Sequence, residues 1–77
     1  MNLDRAQPVW PQVADELRRR IEAGTYPPGE RFPAVVDLAV EFDVAASTVQ
    51  KAVAALRAEG KLRTVLGQGS FVAGTPR

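Results

Sequence analysis

A mainly α-helical fold that finishes in a small β-hairpin is what three features of this sequence predict. Apolar residues recur every four positions near the start, at Val9, Val13, Leu17 and Ile21. Two shorter helical patterns follow, separated by no more than a tight turn. After Gly60 the period drops to two, in "KLRTV" and "SFVA" on either side of "LGQG". A repeat of three to four residues gives a helix one buried stripe. Alternation gives a strand one buried face. Three helices followed by a hairpin make a winged helix-turn-helix.

The first helix carries Trp10 and Ala14 beside its apolar stripe. Pro8 and Pro11 suit its first turn, where the missing amide hydrogens have no helical partner to lose. Gly24 is placed to end it, because glycine adopts the left-handed conformation that closes many helices. The run Arg18–Arg20 crosses the side away from the core and reads as a solvated surface. "GTYPPGERFP" is turn chemistry, with room for a very short strand at Glu30–Phe32. The second helix is expected over 34–42, burying Val35, Leu38, Ala39 and Phe42. Asp43 and Val44 form the turn. The third helix is expected over 46–59, burying Val49, Ala52, Val53 and Leu56, with Gly60 at its end. Gly67 and Gly69 supply the positive backbone angles that a hairpin turn requires. The expected organisation is an N-terminal arm at 1–7, the folded domain at 8–73, and a tail or start of a linker at 74–77.

Composition narrows the function. The 77 residues suffice for one small domain and one modest core. There is no cysteine and no histidine, which removes disulfides, thiol nucleophiles, the usual zinc ligands and any Ser/His/Asp triad. None of the nine carboxylates pairs with another in a pocket-forming context, so neither an enzyme, a metal site nor a cofactor is expected. No apolar run approaches the roughly 20 residues of a membrane span. "MNLDRAQPVW" lacks the basic start and apolar block of a signal peptide, so the expected location is cytoplasmic.

The net charge of +1 conceals a division. Residues 1–43 carry five arginines and eight carboxylates, net −3. Residues 44–77 carry Lys51, Arg57, Lys61, Arg63 and Arg77 against Glu59 alone, net +4. Neutralising a polyanion needs a local basic patch, not a basic total.

Taken in order, "PVWPQVADELRRRIEAGTYPPGERFP", "DLAVEFDVAASTVQKAVAALRAEGKL" and "GQGSFV" resemble the N-terminal winged-helix domain of the GntR family of bacterial transcription regulators. The resemblance spans about residues 8–73. It rests on a Pro–apolar–aromatic start, a "G…PPG…P" connector, a Thr-Val pair, an "L…EG" helix end and a "GxGSFV" wing. Phe32 stands where the family usually has Leu, and Ser70 where it usually has Thr. Several basic or capping positions also differ. The family's Ser and Arg at the start of helix 2 are Ala34 and Val36, and its Ser-Arg at the start of helix 3 is Ala45-Ala46. Gln50 and Gln68 stand where the family commonly has basic residues.

The resemblance implies double-stranded DNA as partner, with helix 3 in the major groove and the wing at the minor groove. It also implies a repressor or other regulator, a homodimer on a two-fold operator, and an effector or dimerisation domain not found in this chain. The helical wheel turns Ser47, Lys51, Ala54 and Ala58 away from the core, with Ala46, Gln50 and Arg57 on one flank and Thr48 on the other. The expected base-facing residues are therefore Ala46, Ser47, Gln50 and Lys51. Gln pairs with adenine, Lys with guanine, and an alanine methyl packs on a thymine methyl. Arg31, Thr48, Lys61 and Arg63 are the expected phosphate contacts, and Gly67, Gln68 and Gly69 the wing tip. The rival reading is a protein-binding module. Val36 and Val40 lie one turn apart on the outer side of helix 2, with Ala34, Ala45 and Ala46 near them.

Overall fold

The computed structural model describes residues 3–67 and 69–73. Gln68 and the 74–77 tail lie outside the described residues, as do the first two residues of the arm. Helix α1 spans Val9–Glu22, α2 Val35–Phe42 and α3 Ala46–Ala58. Strands β1 (Leu62–Val65) and β2 (Gly69–Val72) form the antiparallel hairpin, with Leu62 opposite Val72 and Val65 opposite Gly69. The helix-helix-helix-hairpin order is the winged helix-turn-helix that the sequence predicts.

Each helix ends by the same device. The amides of Gly24 and Thr25 bond back to the carbonyls of Ile21 and Arg20, and those of Gly60 and Lys61 to Arg57 and Leu56. Both glycines sit at φ +81. This satisfies two carbonyls that would otherwise face solvent unpaired. Asp43 does the same for α2 at φ 55, a conformation that a residue with a Cβ adopts at some cost. The helix starts are less well made. Ala34 and Ala45 hold the N-cap positions of α2 and α3 and supply no side-chain hydrogen bond. A Ser or Asp there typically stabilises by about 1 kcal/mol.

The short strand expected at Glu30–Phe32 is a single bridge between Arg31 and Phe71. It is held by hydrogen bonds from Phe32 N to Ser70 O at 2.9 Å and from Val72 N to Glu30 O at 3.0 Å. The connector thus adds a third, brief strand beside β2. Its Phe32 enters the core and meets the edge of Tyr26 at 5.0 Å between ring centres. The core gathers Val13, Ala14 and Leu17 of α1 with Leu38 and Phe42 of α2. To these it adds Val49, Ala52, Val53 and Leu56 of α3, and Leu62 and Val72 of the hairpin. Val35 and Ala39 are only partly buried and pack against its edge.

The arginine run departs from its expected role as a solvated surface. Only Arg19 lies open on the helix. Arg18 makes a two-pronged bond to Glu59, 2.8 Å from Nε and 2.6 Å from Nη2, tying the middle of α1 to the end of α3. Arg20 donates to Glu16, to the Tyr26 hydroxyl and to Glu41 of α2, and its guanidinium lies 5.0 Å over the Phe42 ring. Two-pronged and multiply bonded guanidinium contacts are the stronger kind of ion pair. The arm is tied down as well. Arg5 donates to the carbonyls of Asp43 and Phe42 at the end of α2, and Leu3 packs on the core.

Glu16 accepts from Arg19 and Arg20, and these bonds hold its carboxyl down at about 2 from an ordinary 4.5. A depressed carboxyl stabilises the fold above its unfolded pKa and stops doing so as pH falls through the folded value. The stabilisation is therefore complete above pH 4.5 and is lost on the way down to about 2. Melting temperatures of the unaltered protein should fall across that window. Glu16→Gln should melt lower near neutral pH and show a smaller fall. Parallel curves for the two proteins across the window would mean that Glu16 carries none of the acid sensitivity.

Candidate nucleic-acid interface

The exposed side of α3 follows from how α3 is buried. Val49, Ala52, Val53 and Leu56 face the core, so the opposite side of the helix cannot. Ala46, Ser47, Gln50 and Lys51 are all exposed, as are Ala54, Arg57 and Ala58 further along. Thr48 is partly buried on the flank, and its amide bonds to the Ala45 carbonyl. The first two turns of α3 therefore present an amide, an ammonium and a hydroxyl among small methyl-bearing side chains. Neither Lys51 nor Arg57 has an ion-pair partner among the described residues.

The wing stands beside this surface, and its register decides which side chains face outward. Residues opposite one another in a ladder share a face. Leu62 and Val72 are paired and buried. The next pair, Arg63 and Phe71, must then point outward. Because Arg31 bridges to Phe71, the three side chains stand in one row across three strands: Arg31, Phe71, Arg63. Both arginines are exposed and have no ion partner among the described residues. Two positions along the outer face, Gly69 lies alongside Arg31. A Cβ built on Gly69 would stand 3.4 Å from Arg31 Nη2, in ordinary van der Waals contact, so Gly69 and the Arg31 guanidinium are neighbours. Gly69 has φ +96 and Gly67 φ +79, the left-handed values expected for the turn.

An open cleft of about 540 Å³ separates the wing from the start of α2. Arg31, Ala34, Val35, Asp37 and Ser70 line it, with Val53 among the lining residues from α3. Asp37 places a carboxylate in the same cleft as the Arg31 cation and sits in the first turn of α2, where it suits the helix dipole. Lys61 is drawn away from the others. Its Nζ lies 3.8 Å from Glu22 at the end of α1, and the residue is partly buried. Of the four expected phosphate contacts, Arg63 on the wing and Arg31 on the connector beside it have no ion partner among the described residues, and Thr48 lies on the flank of α3. Lys61 is engaged elsewhere. Val36 and Val40 are 63% and 83% exposed, as their outward placement on α2 required.

Two wing residues escaped sequence reasoning. The alternation of "SFVA" gives no sign that Phe71 stands between two arginines. Leu66 is 98% exposed at the hairpin turn. The sequence carries a signal for Leu66: it follows Val65 as a second consecutive apolar residue, where the alternation of the strand ends.

An exposed helix reached through a tight turn from its predecessor, with a basic hairpin alongside, defines the winged helix-turn-helix class of nucleic-acid-binding domain. The family comparison is more specific. The model of the gntR family of bacterial regulatory proteins matches residues 11–72, and the chain belongs to that family. It is 41% identical over 64 residues to an uncharacterised HTH-type transcriptional regulator of Rhizobium meliloti, covering 83% of this chain and 26% of that protein. It is 33% identical over 66 residues to the mannosyl-D-glycerate transport/metabolism system repressor MngR of Escherichia coli, covering 86% and 28%. The chain thus spans about a quarter of the length of these curated relatives. Among solved structures it superposes on a GntR family transcriptional regulator from Listeria monocytogenes with a TM-score of 0.87 at 30% identity, covering 92% of this chain and 62% of that one. It also superposes on the AraR DBD in complex with its operator, with a TM-score of 0.78 at 34% identity, covering 83% and 77%. Family membership favours nucleic-acid reading over a purely protein-binding role for the Val36–Val40 face.

Proposed function

We propose that this domain reads double-stranded DNA sequence-specifically as the DNA-binding part of a bacterial transcription regulator. Helix α3 enters the major groove and the wing lies at the minor groove. The observation that carries this reading is the exposed polar face of α3, Ser47, Gln50 and Lys51, together with the exposed Arg63 of the wing and Arg31 bridged to that wing, which have no ion partner among the described residues. The likeness to a DNA-binding domain solved with its operator supports it. Gln50 and Lys51 read base edges, and the methyl groups of Ala46 and its neighbours lie against thymine methyls. Arg31, Arg63 and Thr48 hold phosphates, while Lys61 reaches one only by leaving Glu22. The wing-tip glycines Gly67 and Gly69 let the turn approach the duplex closely, with Gln68 between them.

Repression is the proposed sign of regulation, on the analogy of the MngR repressor. Few cationic contacts per copy make a single domain a weak binder, so two copies on a two-fold site are proposed. The greater length of the relatives supports a further effector or dimerisation domain in the working regulator. A cytoplasmic location is proposed with the DNA-reading role. No helix among the described residues is long and apolar enough to cross a membrane. No catalytic step, metal or cofactor is part of this reading.

Selection from a random duplex library at low and near-physiological salt tests it. Sequencing the retained DNA should return a motif with two-fold symmetry. Affinity should fall with salt less steeply than for a protein with many phosphate contacts, at about 0.9 log units per log unit of salt for each phosphate neutralised. Absence of any retained duplex at low salt would overturn the reading.

A further inference from the structure

The wing ends in a side chain that the fold does not use. Leu66 is 98% exposed, the most exposed large apolar residue among those described. Single apolar residues on a surface are ordinary. What distinguishes Leu66 is its setting. It occupies the turn just beyond the Val65–Gly69 pair, at the far end of the hairpin from the core. Two glycines, Gly67 and Gly69, follow it, both at positive φ. Behind it on the outer face stand Arg63 and Arg31. From Lys61 to Arg77 the sequence contains no carboxylate. The hairpin therefore carries one exposed apolar side chain at its turn, Leu66, and is basic along its flank. A surface complementary to it is a narrow cleft between anionic walls.

The minor groove of duplex DNA has that form: about 6 Å wide and 7.5 Å deep, bordered by two phosphate rails. Its floor differs between base pairs. Guanine projects an N2 amino group into it, while A·T pairs leave only acceptors. A leucine offers no acceptor, so covering that amino group strips it of water without replacing the hydrogen bond. Resting on the DNA-reading function above, we propose that Leu66 enters the minor groove as the apolar tip of the wing. There it selects A·T over G·C pairs, while Arg63 and Arg31 hold the flanking phosphates. Apolar side chains serve other minor-groove proteins in this way, where they also loosen base stacking. The base preference at the wing is thus set by exclusion, not by a cation.

The test uses the whole 77-residue chain and the duplex selected from the library. Replacing adenine by 2,6-diaminopurine at the pairs beside the α3 half-site adds the minor-groove amino group and leaves the major-groove edge unchanged. The unaltered protein should lose roughly ten-fold in affinity at one or two of these pairs, the scale of an apolar contact forfeited. Leu66→Ala should bind the adenine duplex more weakly by a similar factor and be indifferent to diaminopurine. Its melting curve should match that of the unaltered protein, since Leu66 touches no core residue. Arg63→Ala should weaken binding to both duplexes equally and lower the salt slope by about one unit. An L66A variant that keeps the diaminopurine penalty overturns the proposal, whatever its affinity. So does an unaltered protein with no penalty at any pair. In either case DNA reading by α3 still stands. Failure to hold any duplex at low salt would sink both together and is recognisable as such.

Discussion

Leu56→Ala is expected to remove about 2–5 kcal/mol of folding stability, the range for emptying a fully buried leucine site. Leu56 is 0% exposed. It stands on α3 where that helix packs against α1 and leads into β1, and its carbonyl also receives the Lys61 amide that closes the helix. A domain of this length holds only about 4–12 kcal/mol in all. The variant should therefore unfold at a much lower urea concentration with an unchanged slope. The same chemical change at Leu66, which is 98% exposed, should leave the urea midpoint where it was. The pair of measurements separates burial from residue type. Equal midpoints for the two variants would mean that α3 is not seated on the core as described. DNA binding by L56A should be weak at any temperature where it is part-unfolded, and should recover on cooling or with excess duplex, because ligand bound to the native state draws the equilibrium back.

Lys51→Ala is expected to change which sequences are chosen and not merely how tightly. Lys51 projects from the second turn of α3, exposed and without an ion partner among the described residues, so its loss does not disturb the fold. In the proposed reading it donates to the edge of a guanine. Losing such a contact costs about 1–3 kcal/mol of discrimination at one base pair, about 5- to 150-fold. Library selection with K51A should return the same two-fold motif with one position per half-site relaxed. A uniform loss across all sequences would instead make Lys51 a phosphate contact, and a motif unchanged at every position would remove it from the interface. The family commonly has a basic residue at the preceding position, where this chain has Gln50. The base preference of this domain should therefore differ from that of relatives that keep it.

The sequence by itself determined the order and type of the elements, their stops and their inward faces. Period alone distinguishes Val9–Ile21 from "KLRTV", because the backbone geometry of helix and strand fixes which residues share a side. Gly24 and Gly60 were legible as helix ends because few other residues take the left-handed conformation cheaply. Once the inward residues of α3 were known, its outward residues followed by subtraction, so the exposed reading surface was legible too. Only the tertiary structure decided the rest. Arg18 finds Glu59 and Arg20 finds Glu41, 41 and 21 residues away. No periodicity encodes those distances, since they depend on which helices lie side by side. For the same reason Lys61 and Arg63, near neighbours in the chain, part company: one turns to Glu22 on α1 and the other stands free on the wing. The row of Arg31, Phe71 and Arg63 exists only because a connector of turn residues comes to rest beside β2. Leu66 acquires its meaning there as well: next to a strand it is a break in a pattern, and at the tip of a basic hairpin it is a probe.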